Sequence, residues 1–161
     1  MNTKERILNA IENHARISIE DLAAITCSTP EEVREELDKL ESEKIICGYH
    51  TIINWDKAGE ETADAFIEVK VTPQKGVGFN QMAEMLSNYP QVSSVYLISG
   101  TSDFIVFISG RSMREIALFV SEELSTLEGV LSTTTQYILK KYKQDGFEIQ
   151  NSSRDERYAM S

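Results

Sequence analysis

The chain has 161 residues, 41% of them apolar, and a formal net charge of −10. That length holds one medium domain or two small ones with a packed core. The acid excess runs through the whole chain with no basic arm, which argues against binding nucleic acid by bulk electrostatics.

The opening stretch, MNTKERILNA, contains no run long enough for the h-region of a signal peptide. Nowhere does the sequence approach the roughly 18 consecutive apolar residues of a membrane span. A cytoplasmic protein with no membrane partner is expected. Over residues 4–13 the apolar positions Ile7, Leu8 and Ile11 recur at helical spacing, with Asn2 or Thr3 available as a cap. Ser18 supplies an N-cap with Asp21 three residues on, and Ile19, Leu22, Ala23 and Ile25 give a second apolar stripe that stops near residues 26–28. Thr29 and Glu32 form a capping box around Pro30 at the first helical position, and Val33, Leu37 and Leu40 line the third helix. Three short helices with a tight second turn make a helix-turn-helix. Residues 45–55 then read as a strand or a pair of short strands, the natural wing after a third helix. Cys27 and Cys47 are too few for a disulfide framework, and His50 close to Cys47 makes a weak zinc pattern, so no metal is expected.

Residues 66–72 alternate, with Ile67, Val69 and Val71 on one face and Glu68 and Lys70 on the other, as a strand does. Residues 73–76 break it. Phe79, Met82, Ala83 and Leu86 mark a helix. Two apolar runs, 95–98 and 104–108, are joined across Gly100, Thr101, Ser102 and Asp103 and read as a β-hairpin. Neither run alternates cleanly, so both hairpin faces should be covered, one by helices and the other by a second copy of the chain. The turn places a carboxylate, Asp103, beside a glycine whose backbone can be approached closely, which suits a small ligand as well as an ordinary Asx-type turn. Residues 113–126 carry Ile116, Ala117, Val120 and Leu124 on one side of a further helix, ended near Gly129. Residues 130–142 read as a last strand whose final lysines can lie outside the sheet. The order β-α-β-β-α-β is the ferredoxin-like arrangement, one antiparallel sheet with both helices on one face. The expected class is α+β: a winged helix-turn-helix over residues 1–55, a linker over 56–65, a ferredoxin-like domain over 66–143, and a polar extension over 144–161 in which Phe147, Ile149 and Tyr158 could dock on a neighbour. With His14 and His50 the only histidines and no Gly-rich phosphate loop, no catalytic group is assembled and no enzyme is expected.

Thr29-Pro30, Leu40-Glu41, Ile46, Gly48-Tyr49 and Gly59 resemble the recognition helix and wing of the Lrp/AsnC (leucine-responsive, feast/famine) transcriptional regulators. The resemblance covers about residues 3–142. Two departures stand out. The family often carries Gly at the position of Lys44, suiting a left-handed residue after a helix. Its recognition helix is usually basic, whereas this one carries Glu31, Glu32, Glu35, Glu36 and Asp38 against Arg34 and Lys39. The resemblance implies a transcription regulator that binds double-stranded DNA, responds to a free amino acid, has no other cofactor, and assembles as a dimer or up to an octamer. For DNA it implies the third helix in a major groove, with Thr29, Glu32, Arg34, Glu35 and Lys39 on it and Tyr49 and His50 in the wing. For the effector it implies residues 98–104, similar to the family's Gly-x-x-Asp turn, together with Thr133 and Thr135, matching its Thr-x-Thr. Asp103 would pair with the ligand ammonium, and amides near Gly100 or the threonine hydroxyls would take its carboxylate. The acidic helix leaves a second reading open, an amino-acid-sensing oligomer with weak or lost DNA binding.

Overall fold

The computed structural model describes residues 2–72 and 78–149. It divides into two compact units, Met1–Ile52 and Ile53–Ser161. The boundary therefore falls inside the expected wing, before the expected linker.

The first unit holds α1 (Thr3–Asn13), α2 (Ile19–Thr26) and α3 (Pro30–Ser42). Each starts on a side-chain cap. Asn2 and Glu5 form a capping box on α1, Ser18 caps α2 through Asp21, and Thr29 and Glu32 box α3. Each cap thereby satisfies one orphan amide of its first turn, that of Glu5, Asp21 or Glu32. Ile7, Leu22, Ala23, Val33, Leu40 and Ile46 close one core among these helices. Both α2 and α3 end in paired bonds of the Schellman type: Ser28 N–H to Ala23 O with Cys27 N–H to Ala24 O, and Ile45 N–H to Leu40 O with Lys44 N–H to Glu41 O. That motif needs a left-handed residue, and Cys27 (φ 56°) and Lys44 (φ 58°) take the position usually given to glycine. The expected strands over residues 45–55 are not formed. No residue from 45 to 54 is in a ladder, and Trp55–Ala58 is a short helix, α4. The stretch lacks a tight two-residue turn signal, and an isolated short hairpin is marginal without a sheet to join.

The second unit continues with β1 (Ala63–Val71), α5 (Phe79–Ser87), β2 (Val92–Leu97), β3 (Phe104–Gly110), α6 (Met113–Phe119), a π-helical turn (Val120–Leu124) and β4 (Val130–Ile138). The antiparallel sheet has the order β2-β3-β1-β4, the ferredoxin-like order. Helix α4 and the start of β1 occupy most of residues 56–65, so the expected linker is largely ordered structure. One sheet face supplies Ala65, Ile67, Val69, Val71, Phe104, Val106 and Ile108 to the core, closed by Met82 and Leu86 of α5 and by Ile116, Phe119, Val120 and Leu124. Phe119 is buried there and Ala117 is exposed, which corrects the stripe read from the sequence. The other face of the sheet carries Phe66, Phe107 and Tyr96 in edge and tilted ring contacts at 6.0 Å. In the single chain the hairpin is thus covered on one side, and Tyr96 is 55% exposed.

β4 stops at Ile138, leaving the lysines outside the sheet. The extension is not wholly irregular: β5 (Lys143–Gln144) pairs with β6 (Phe147–Glu148). Asp145 (φ 45°) and Gly146 (φ 88°) between them have the two positive φ angles of a type I′ loop. The 73–76 break and residues 150–161, with Tyr158, lie outside the described residues. Among the described residues no helix is long and apolar enough to cross a membrane.

The left-handed Lys44 generates a stability prediction. A non-glycine residue there costs about 1 kcal/mol, partly offset by the freer unfolded chain of a glycine variant. Lys44→Gly should raise the stability of the helix-turn-helix unit by about 0.5–1 kcal/mol in urea denaturation followed by circular dichroism. A lowered midpoint would show that the lysine side chain contributes more than its backbone costs.

Candidate effector site and nucleic-acid interface

The turn before β3 is tied to the centre of the sheet. Ile98 N–H donates to Asp103 O at 2.8 Å, and Asp103 N–H donates to Val69 O at 3.0 Å. The β1–β3 ladder ends with Val69 opposite Phe104, so β3 offers Val71 no backbone partner. The Asp103 carboxylate takes that place, Oδ2 accepting from Val71 N–H at 2.9 Å. Its Oδ1 has no hydrogen-bond donor among the described residues. Asp103 is half-buried, with its Oδ2 held on Val71 N–H. Gly100 has no positive φ, and a Cβ built on it would meet nothing within 4 Å. Neither backbone conformation nor packing among the described residues calls for glycine there, and Gly100 is exposed. Thr101 is exposed beside it.

Register places the threonines. Thr133 lies opposite Val69 and Thr135 opposite Ile67. Directly paired residues share a face, so both threonines are on the helix-packed side of the sheet. Thr133 Oγ1 lies 3.0 Å from Ser125 Oγ, the residue after the π-turn. Asp103, in the turn before β3, and Thr133, on β4, therefore lie on opposite edges of β1 near Val69, at one end of the sheet. Thr135 is a two-residue step further in, about 7 Å along the strand. Ser102 is not gathered with them. Its hydroxyl donates to Glu68 Oε2 at 3.1 Å on the open face, where Gln136 Nε2 donates to Glu68 Oε1 at 2.8 Å. Sequence reasoning missed Glu68, Gln136 and Ser125. Glu68 showed only the polar phase of an alternating strand, while Ser125 lay past the expected stripe with no pattern of its own.

The candidate DNA residues divide by what they already hold. Thr29 and Glu32 are each other's cap: Thr29 N–H donates to Glu32 Oε2 at 2.8 Å, and Glu32 N–H to Thr29 Oγ1 at 3.3 Å. They fix the start of α3. Arg34 sits 3.6 Å from Glu31, an exposed pair of small energetic weight. Glu35, Lys39 and His50 are exposed. Tyr49 O–H donates to Glu41 Oε1 at 2.8 Å, tying residue 49 back to the end of α3. Partial burial, with the Glu41 carboxylate beside it, pushes the Tyr49 phenol up from its ordinary value. Glu31 and Glu32 in the first turn favour the helix dipole but oppose the approach of phosphate to the same amide groups.

The profile of the Lrp/AsnC ligand binding domain matches residues 64–146. The chain is 45% identical over 156 residues to the uncharacterized HTH-type transcriptional regulator YugG of Bacillus subtilis (strain 168), covering 96% of this chain and 94% of that protein. It is 27% identical over 139 residues to the leucine-responsive regulatory protein of Rhizobium meliloti (strain 1021), covering 86% and 88%. Among solved structures, the leucine response regulatory protein LrpA of Mycobacterium tuberculosis aligns with a TM-score of 0.75 at 20% identity, covering 93% of this chain and 99% of that one. A transcriptional regulator of Neisseria meningitidis in complex with L-Met aligns with a TM-score of 0.70 at 22% identity, covering 89% and 92%. The helix-turn-helix followed by a β2-β3-β1-β4 sheet, the matched profile and the near full-length relative converge on one statement: this chain belongs to the Lrp/AsnC family of HTH-type transcriptional regulators.

Proposed function

We propose that the chain is a sequence-specific DNA-binding regulator whose assembly or DNA binding responds to a free amino acid. The observation that carries the reading is the sheet end where Asp103 and Thr133 lie on opposite edges of β1 near Val69. A zwitterion needs an anion for its ammonium and donors for its carboxylate. Among the described residues the Oδ1 of Asp103 has no donor, while Oδ2 is anchored on Val71. The backbone at the exposed Gly100, with the Thr101, Thr133 and Thr135 hydroxyls, offers the donors. The match to a ligand binding domain supports this, as does the L-Met complex of the Neisseria regulator. On the opposite face a second copy covers Phe66, Tyr96 and Phe107, giving an isologous dimer that can assemble further, up to an octamer.

In the DNA unit α3 enters a major groove, presenting Arg34, Glu35 and Lys39, with Tyr49 and His50 toward the backbone and the Thr29–Glu32 cap fixing the helix start. So few cations neutralise only about two or three phosphates per copy, so useful affinity comes from several helices held on one DNA segment. Anisotropy titration of the protein on its own upstream DNA, at about 50 mM salt and again at about 150 mM, is the test. Binding to repeated half-sites at the lower salt is expected, with Glu35→Lys strengthening it at some loss of sequence discrimination. No binding at about 50 mM, with or without amino acids, removes the regulator reading. The acidic α3 then favours the alternative, an amino-acid-sensing oligomer that has lost DNA affinity.

The two jobs of Asp103 can be separated. Asp103→Asn keeps an acceptor for Val71 N–H and removes the charge. It should fold normally and lose the thermal shift given by whichever of the twenty amino acids stabilises the native protein. Asp103→Ala should in addition cost about 1–3 kcal/mol, because the part-buried Val71 N–H is left unpaired. An Asn variant with an undiminished shift would leave the carboxylate with its structural role alone.

A further inference from the structure

Helix α6 does not end as an α-helix. Ser125 N–H donates five residues back, to Val120 O at 2.8 Å, closing the π-turn Val120–Leu124. π-turns are rare and concentrate at functional sites. Here Leu124 is fully buried, which locks the turn to the core, while Ser125 beside it is exposed. The Ser125 hydroxyl meets Thr133 Oγ1 at 3.0 Å, and Thr133 is held by its register with Val69. Both hydroxyls can thus be reached from solvent, and both backbones are fixed.

A hydroxyl has one proton to give and two lone pairs to receive with. If Thr133 donates to Ser125, it has nothing left to donate outward. If Ser125 donates to Thr133, the threonine proton is free for a ligand oxygen, and accepting a bond strengthens Thr133 as a donor. Under the reading above, the ammonium of an amino acid pairs with the Asp103 carboxylate on the other edge of β1, so the group left for Thr133 is the ligand's carboxylate, which only accepts. From this geometry we infer that Ser125 is a positioning residue of the effector site: by donating to Thr133 Oγ1 it turns the threonine proton toward the carboxylate of a bound amino acid. The inference rests on the amino-acid reading above and adds a residue from the π-turn to it.

The experiment uses the full chain and calorimetric titration with the twenty amino acids, followed by the carboxamide of whichever binds. Ser125→Ala removes one exposed hydroxyl, and its unliganded melting temperature serves as the folding control. The expected result is a Kd raised about three- to tenfold for the amino acid. Its preference over the carboxamide should narrow, since a bond to a charged oxygen is the stronger one. Ser125→Thr, which keeps the donor, should restore both. An unchanged Kd and unchanged preference in Ser125→Ala, with the native chain binding normally, overturns the inference and leaves the amino-acid reading standing. A native chain that binds none of the twenty removes that reading, and the inference falls with it.

Discussion

Strand β1 is hydrogen-bonded along both edges, to β3 and to β4, and its alternation fixes which way the sheet faces. Ala65, Ile67, Val69 and Val71 are buried under the helices, which leaves Phe66 and Glu68 on the other side. A slip of one residue would invert that assignment and put Glu68 in the core. The Asp103 carboxylate on Val71 N–H helps to prevent it, since it extends the β3 edge past its last backbone pair and opposes sliding. The same register puts Phe104 and Thr133 on either side of Val69. The candidate effector site is therefore a consequence of how the central strand is pinned.

In the helix-turn-helix unit several of the acids have structural work. Glu5, Asp21 and Glu32 each bond to the cap of their own helix, and first-turn carboxylates suit the positive end of a helix dipole. Part of the negative charge is therefore local helix chemistry. The cost falls on phosphate affinity, because the acids around α3 stand beside the cations that would meet DNA. Cys27 and Lys44 carry a further cost, each holding a left-handed position that glycine would take without strain. Stability in this unit comes from its caps and from Ile7, Leu22, Val33 and Leu40, all but fully buried.

What was legible in the residues follows from the range of the forces involved. Caps and stripes act over three or four positions, so Asn2, Ser18 and Thr29 announced their helices, and the β-α-β-β-α-β order followed from periodicity together with strand-forming composition and turn residues. The wing depends on a partner strand that the local sequence does not specify, so its apolar run formed no ladder. Ser125 gained its meaning from a π-turn and from Thr133 eight residues on, neither visible as a period. The Asp145-Gly146 loop is a different case. That dipeptide is a strong hairpin signal, but the strands it joins are two residues each and too short to show alternation. The turn before β3 was legible as a turn. That Asp103 serves Val71 while Ser102 serves Glu68 is fixed only by the fold, because the choice depends on where β3 begins relative to β1.

That division of labour bears on how a ligand could reach the assembly. Ser102 and Asp103 are neighbours in one short turn, yet their side chains are bonded to different parts of the sheet. Asp103 holds the edge of β1 that faces β3, across that strand from Thr133 on β4, and Ser102 holds Glu68 on the face with Phe66, Phe107 and Tyr96. Gln136 holds the second oxygen of Glu68, so this carboxylate joins the turn to β4 across β1. A ligand that pulls on Asp103 acts on residues covalently joined to those that order the open face. Under the proposed function, sensing and assembly then draw on the same turn. An acidic recognition helix is workable in such a design because the number of helices held on one DNA segment, more than the affinity of any one of them, sets the occupancy.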